Sequence, residues 1–220
     1  MLPGGVIFDM DGVLVDSYAP HLRSWCLLAK EIGAPITEAQ FASQFGRTSR
    51  EIIREMFDIK HPREVRRLDD LKEVLYRDLI RGRVPRMPGA MTVIKALHAA
   101  GFRLAVGSSG PPENVTLVCD EMGLAPFLSA TITGADVQRG KPDPQVFATA
   151  AEKMGVAPVR CVVIEDAPAG IEAARRAGMS SVGLVGTHEA KALSSADRVV
   201  GRLDEIRPAV IHDLLKPPPR

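Results

Sequence analysis

Short, largely apolar runs recur along this chain, at Val6-Ile7-Phe8 and then at residues 104–106, 161–164, 181–185 and 198–200. They are too short for helices and read as buried strands. Amphipathic helical patterns lie between them. Residues 91–100 carry Val93, Ile94 and Leu97 on one face and stop at Gly101, while residues 145–154 carry Val146, Phe147 and Ala150 and stop at Gly155. A glycine just past the last periodic residue marks a helix end, because it enters the left-handed conformation without a Cβ penalty. Strand alternating with helix predicts an α/β fold built on a parallel sheet.

Residues 17–82 break that alternation, showing helical patterns and no convincing strand. Leu22, Trp25, Leu28, Ala29 and Ile32 form one stripe that ends at Gly33, and Val65, Leu68, Leu71, Leu75 and Leu79 form a longer one that ends near Gly82. Thr37 with Gln40, and Thr48 with Glu51, have capping-box spacing, so each pair opens a further predicted helix. The chain then passes through the stiff stretch Val84-Pro85-Arg86-Met87-Pro88. The expected organisation is a sheet domain of residues 1–16 and 84–220, with a helical domain of residues 17–83 inserted after the first strand. The simpler alternative is one α/β domain whose helices are unevenly distributed.

With 220 residues, 45% of them hydrophobic, the chain can bury a substantial core as one large domain or two small ones. Lys plus Arg number 28 against 27 Asp plus Glu, a net charge of +1 that gives no global field to attract nucleic acid. Three cysteines cannot all pair within the chain, and Cys119 and Cys161 lie in apolar stretches where a free thiol behaves as a small hydrophobe. A reducing, cytoplasmic setting is expected. The first apolar run is too short for a signal-peptide core and is broken by Asp9 and Asp11, and no run is long enough to span a membrane.

Acidic residues gather where strands end. Asp9-Met10-Asp11-Gly12 directly follows the first strand, and residues two apart on extended chain point the same way. Two carboxylates therefore face one site, at the strand end where open parallel sheets place ligands, and hard oxygens of this kind suit Mg²⁺. A lone D-x-D-G is also common in turns. A calcium-binding loop starting at Asp9 fails, since its fifth position is Val13 and its twelfth Pro20. Glu165-Asp166 repeats the theme after residues 161–164 and precedes a proline-opened helix with Ile171 and Ala174. Acids at a helix start also meet the dipole favourably without any catalytic part. Ser108 and Ser109, between Gly107 and Gly110, offer hydroxyls and backbone N–H groups to a phosphate, or else form an ordinary turn. Lys141 stands beside Pro142 and Pro144 in a stiffened loop, as a phosphate-facing charge or a solvated one. Residues 134–141 resemble a P-loop only superficially: five residues rather than four separate the glycines, and Pro142 stands where Ser or Thr is required.

Taken together, Asp9-Met10-Asp11-Gly12-Val13-Leu14-Val15-Asp16-Ser17, Gly107-Ser108-Ser109-Gly110, Gly140-Lys141-Pro142-Asp143-Pro144 and Ile164-Glu165-Asp166-Ala167-Pro168-Ala169-Gly170 resemble the four signature motifs of haloacid dehalogenase phosphatases. The likeness runs from Val6 to about Val200, and is narrowest to the β-phosphoglucomutase-like subgroup, including His21-Leu22-Arg23-Ser24-Trp25. It implies a Rossmann-like core with an α-helical cap inserted after the first strand. It implies Mg²⁺-dependent hydrolysis of a small phosphorylated metabolite, a sugar or polyol phosphate, by a monomer. By the same resemblance Asp9 is the nucleophile, Asp11 the general acid and base, and Ser108 and Lys141 hold the phosphate, with Ser109 beside them. The metal falls to Asp9, Asp166, the carbonyl of Asp11, and Glu165 directly or through water. In the helical insert, residues 47–50 offer basic side chains at a predicted helix start, with Arg50 the candidate substrate contact and His21 a second. Each is equally readable as an ordinary helix-end charge and a histidine beside Trp25. A sugar-phosphate mutase is the main alternative and a silent binding protein another. Dehalogenases and phosphonate hydrolases of the superfamily generally lack an acid at the position of Asp11.

Overall fold

The computed structural model describes residues 4–44 and 48–215; Arg47 and the residues 217–220 read as a loose end lie outside the described residues. In chain order the elements are β1 (Gly5–Phe8), α1 (Tyr18–Glu31), α2 (Glu38–Gln44), α3 (Ser49–Met56), α4 (Pro62–Ile80), α5 (Ala90–Ala99), β2 (Arg103–Gly107), α6 (Pro112–Met122), β3 (Leu128–Ile132), α7 (Gln145–Met154), β4 (Cys161–Glu165), α8 (Pro168–Arg176), β5 (Ser180–Leu184), β6 (Arg198–Val200) and α9 (Pro208–Leu214). The strands form one six-stranded sheet in the order β3-β2-β1-β4-β5-β6, with every neighbouring pair parallel. This is the predicted α/β fold with a Rossmann-like parallel sheet flanked by helices.

Why the central strands read as unbroken apolar runs is now plain. β1 lies between β2 and β4, with Val6 opposite Leu104 and Val162, and Phe8 opposite Val106 and Ile164. All of these side chains are fully buried. On one face Ile7, Ala105 and Val163 join Phe147, Ala150 and Ala151 of α7 and Ala173 and Ala174 of α8 in a single core. Each fully buried Val, Ile or Phe contributes about 1.5–3 kcal/mol, so the three apolar residues of β1 anchor everything that follows them. Sequence reading overlooks β3 because it is an edge strand whose exposure alternates, with Ser129 and Thr131 outward. It overlooks α6 as well, where Pro111 and Pro112 do not end a segment but open a helix, at the one place where a missing N–H costs nothing.

The chain divides into two compact units, Ser17–Val84 and the remainder. The helical unit holds a core of Trp25, Leu28, Phe41, Ile52, Ile53, Val65 and Leu68. Both predicted capping boxes form: the Thr37 N–H donates to Gln40 Oε1 at 2.8 Å, and Thr48 and Glu51 cap each other at the start of α3. The predicted stripe on α4 is displaced. Leu71, Leu75 and Leu79 are only partly buried, and the helix instead buries Lys72, Glu73, Tyr76 and Ile80. Lys72 Nζ lies 2.9 Å from both Glu73 Oε1 and His21 Nδ1, and over the rings of Trp25 and Tyr76. These partners offset the desolvation of a buried ammonium, which hydrophobic counting assigns to solvent.

The three cysteines differ in environment. Burial pushes the thiols of Cys119 and Cys161 up to about 11, with Asp120 adding to the effect at Cys119, whereas Cys26 is exposed. At neutral pH, titration with a thiol-reactive dye should therefore count one fast thiol in the native protein and three in denaturant. Three fast thiols in the native state would contradict this core.

Candidate active site

The ends of β1 and β4 stand side by side because the strands pair in register up to Phe8 and Ile164, and the Asp9 N–H donates to the Ile164 carbonyl at 3.0 Å. The chain leaves β1 for β2 on one side, while β4 arrives on the other. A crevice at such a switch point is where doubly wound sheets bind ligands. Beyond Asp9 the backbone turns at once: the Met10 carbonyl accepts N–H groups from Leu14 and Val15, and Gly12 takes a φ of +76°. A Cβ at Gly12 would stand 1.9 Å from Asp166 Oδ2, so space as well as conformation requires glycine there. Met10, Val13, Leu14 and Val15 are buried and hold the turn.

Three carboxylates meet beyond these strand ends. Asp9, Glu165 and Asp166 each present an oxygen within 4.8 Å of the others, and all are nearly or fully buried. Lys141 enters from the loop before α7, with Nζ 2.8 Å from Asp9 Oδ1 and 2.6 Å from Glu165 Oε1, above the ring of Phe147. That loop is stapled by its own side chains. Gln145 Oε1 accepts the N–H groups of Gln138 and Arg139, and Asp143 accepts the N–H of Gln145 while pairing with Arg139.

Charge is tuned by burial. Desolvation raises Asp9 to about 7 against the opposing pull of Lys141, with Glu165 and Asp11 adding repulsion. Asp166 rises to about 7 for the same first reason, Asp9 adding to it and a hydrogen bond from Thr187 opposing it. Lys141 is held above the ordinary ammonium range: burial disfavours its charge, but Asp9 and Glu165 outweigh that. Among the described residues, buried carboxylates crowded around the Lys141 ammonium form a site short of positive charge. The donor set is all oxygen, which fits a hard divalent cation such as Mg²⁺ better than zinc.

The other predicted residues also have definite places. Asp11 lies partly exposed two residues past Asp9. Ser108 is buried just beyond the end of β2, its N–H bonded to Ile132 and its hydroxyl accepting the Gly110 N–H at 3.0 Å; Ser109 is exposed beside it. Arg50 and His21 belong to the helical unit. Arg50 Nε donates to Asp69 at 2.7 Å, and His21 is stacked on Tyr76 with ring centroids 4.0 Å apart. Phe147 reads as core and is core, and it also seats Lys141. Gly170 stands in the fourth motif, but the pattern gives it no role. Thr187 gives only the signal that it closely follows a predicted strand.

Residues 4–178 match the model of haloacid dehalogenase-like hydrolases, and the chain belongs to that family. It is 35% identical over 209 residues to validoxylamine A 7'-phosphate phosphatase of Streptomyces hygroscopicus subsp. limoneus, covering 91% of this chain and 94% of that protein. It is 29% identical over 218 residues to a phosphorylated carbohydrates phosphatase of Thermotoga maritima, covering 96% and 97%. It is also 30% identical over 217 residues to the β-phosphoglucomutase of Bacillus subtilis, covering 94% and 93%.

Gly170, in the first turn of α8, supplies a test of the packing. A Cβ there would lie 1.8 Å from Glu165 Oε1, whose carboxylate is fixed by Lys141 and by the Ala167 N–H. At an unstrained helical site Gly→Ala gains about 0.4–1 kcal/mol. Here Gly170→Ala should instead lower stability by about 1–3 kcal/mol in urea unfolding, because Glu165 must move. A gain in stability would contradict the placement of Glu165.

Proposed function

We propose that this chain is a Mg²⁺-dependent phosphomonoester hydrolase acting on a small sugar or polyol phosphate, with Asp9 as nucleophile. The observation that carries this reading is the clustering of Asp9, Glu165 and Asp166 within 4.8 Å, with Lys141 bridging Asp9 and Glu165. Asp9, Asp166, the Asp11 carbonyl and Glu165 are the candidate metal holders. When bound, the cation offsets the repulsion between the carboxylates and an incoming phosphate and makes the phosphorus more electrophilic.

In the first step an Asp9 Oδ attacks phosphorus, the ester P–O bond breaks, and Asp11 gives its proton to the departing alcohol oxygen. In the second, Asp11 takes a proton from water, whose oxygen attacks phosphorus and releases Asp9 and inorganic phosphate. Ser108 and Lys141 hold the transferring oxygens. Substrate selection is assigned to the helical unit acting as a cap, with Arg50 and His21 as its contacts. Both are already braced, Arg50 by Asp69 and His21 by Tyr76 and Lys72, which lowers the entropy cost of presenting them.

Hydrolysis is favoured over phosphoryl transfer to a sugar by residues 110–114. A mutase must hold a second phosphate while its intermediate turns around, and the resemblance to the β-phosphoglucomutase-like subgroup implies a polar and basic loop after the motif serine for that purpose. Here Gly110-Pro111-Pro112-Glu113-Asn114 provides two prolines and an acid, and Pro112 is committed to the first turn of α6. Supplied with β-glucose 1-phosphate and a trace of the bisphosphate, or with a panel of sugar and polyol phosphates, the enzyme should release free phosphate when Mg²⁺ is present. Asp9→Asn should lower that release by about a thousandfold or more without unfolding the protein. Rapid formation of glucose 6-phosphate with little free phosphate would overturn the hydrolase assignment.

A further inference from the structure

The loop after β5 reaches the same acidic cluster. β5 pairs in parallel with β4, Glu165 standing opposite Gly183, so the residues that follow the two strands emerge side by side. The Val185 N–H donates to Val200 at 2.9 Å and ties the loop to β6. Two consecutive residues then grip Asp166 by different atoms. The Thr187 hydroxyl hydrogen-bonds its carboxylate. His188 Nδ1 lies 3.0 Å from its backbone oxygen, and because a carbonyl only accepts, the ring must carry its proton on Nδ1. Gly12 closes the other side: a Cβ there would stand 1.9 Å from Asp166 Oδ2 and 2.9 Å from Thr187 Oγ1, so carboxylate and hydroxyl both pack on its bare Cα.

The two neighbouring acids are thus partnered in opposite ways. Glu165 gives one oxygen to the Lys141 ammonium, which it shares with Asp9, and the other to the Ala167 N–H, so both of its oxygens are engaged. Asp166 has a neutral hydroxyl as its neighbour. A neutral donor fixes the rotamer and fills one lone pair while leaving the negative charge for a cation. We propose that Thr187 is a positioning residue for the metal centre, holding the Asp166 carboxylate in the one orientation that presents it to a divalent cation, with His188 fixing the backbone beneath it. This inference rests on the metal reading given above.

Calorimetric titration of the substrate-free, metal-free protein with Mg²⁺ tests it without reference to turnover. Thr187→Val, which replaces the hydroxyl by a methyl group of similar size, should raise the Mg²⁺ dissociation constant by about 10-fold to 100-fold. Thr187→Ser, which restores the donor, should bind within about threefold of wild type. Wild-type affinity in Thr187→Val would overturn the proposal, as would equal losses in the valine and serine variants. Asp166→Ala is the control for the underlying reading. If it binds Mg²⁺ as tightly as wild type, the metal centre is misassigned and this inference falls with it, an outcome distinct from an Asp166-dependent site that ignores Thr187.

Discussion

The site depends on repulsion held in check. Asp9, Glu165 and Asp166 present oxygens within 4.8 Å of one another at the buried ends of adjacent strands. At an effective dielectric near 20, two such charges repel by about 3 kcal/mol or more. Lys141 is the ammonium that bridges two of the three, and it is shielded from water by the same packing. Burial and mutual repulsion leave Asp9 and Asp166 poised near 7. In the proposed reading a divalent cation, together with a phosphate, would complete the balance.

The sheet makes that concentration of charge sustainable. β1 is paired in register with a strand on each side and its side chains are fully buried, so a slip would break both ladders and the close packing around Ile7 and Phe8. β1 and β4 therefore deliver Asp9 and Glu165-Asp166 to fixed, adjacent points. Glycines complete the fit at the two positions where a side chain would collide with the carboxylates, Gly12 against Asp166 and Gly170 against Glu165. The stability contributed by Val6, Ile7, Phe8 and their neighbours offsets the cost of crowding the acids beyond them.

What the sequence revealed followed the range of each interaction. The pairs Asp9/Asp11 and Glu165/Asp166 are legible because each pair begins directly after an apolar run, so local pattern alone puts them at strand ends. The pairing of β1 with β4, which joins the acids, was not legible, since no local pattern specifies strand order. Thr187 escaped notice for the same reason: it closely follows β5, and its contact with Asp166 depends on β5 lying beside β4. The burial of Lys72 has no signal in the sequence, since a lysine on a helix is ordinarily solvated, whereas here His21, Glu73 and two aromatic rings receive it. Arg50 reads as a helix-start cation. Its ion pair with Asp69 needed α3 to lie against α4. β3 was lost because its half-exposed alternation is weaker than the unbroken runs of the central strands.

The central claim is that phosphorus passes through a covalent bond to Asp9. An acyl phosphate is reduced by borohydride to an alcohol, whereas a free carboxylate is not. Quenching the enzyme with borohydride during turnover of a sugar phosphate, then mapping the peptides by mass spectrometry, should reveal a reduced side chain at position 9, dependent on substrate and on Mg²⁺. Reduction at another carboxylate, or none at all while phosphate is being released, would contradict the account.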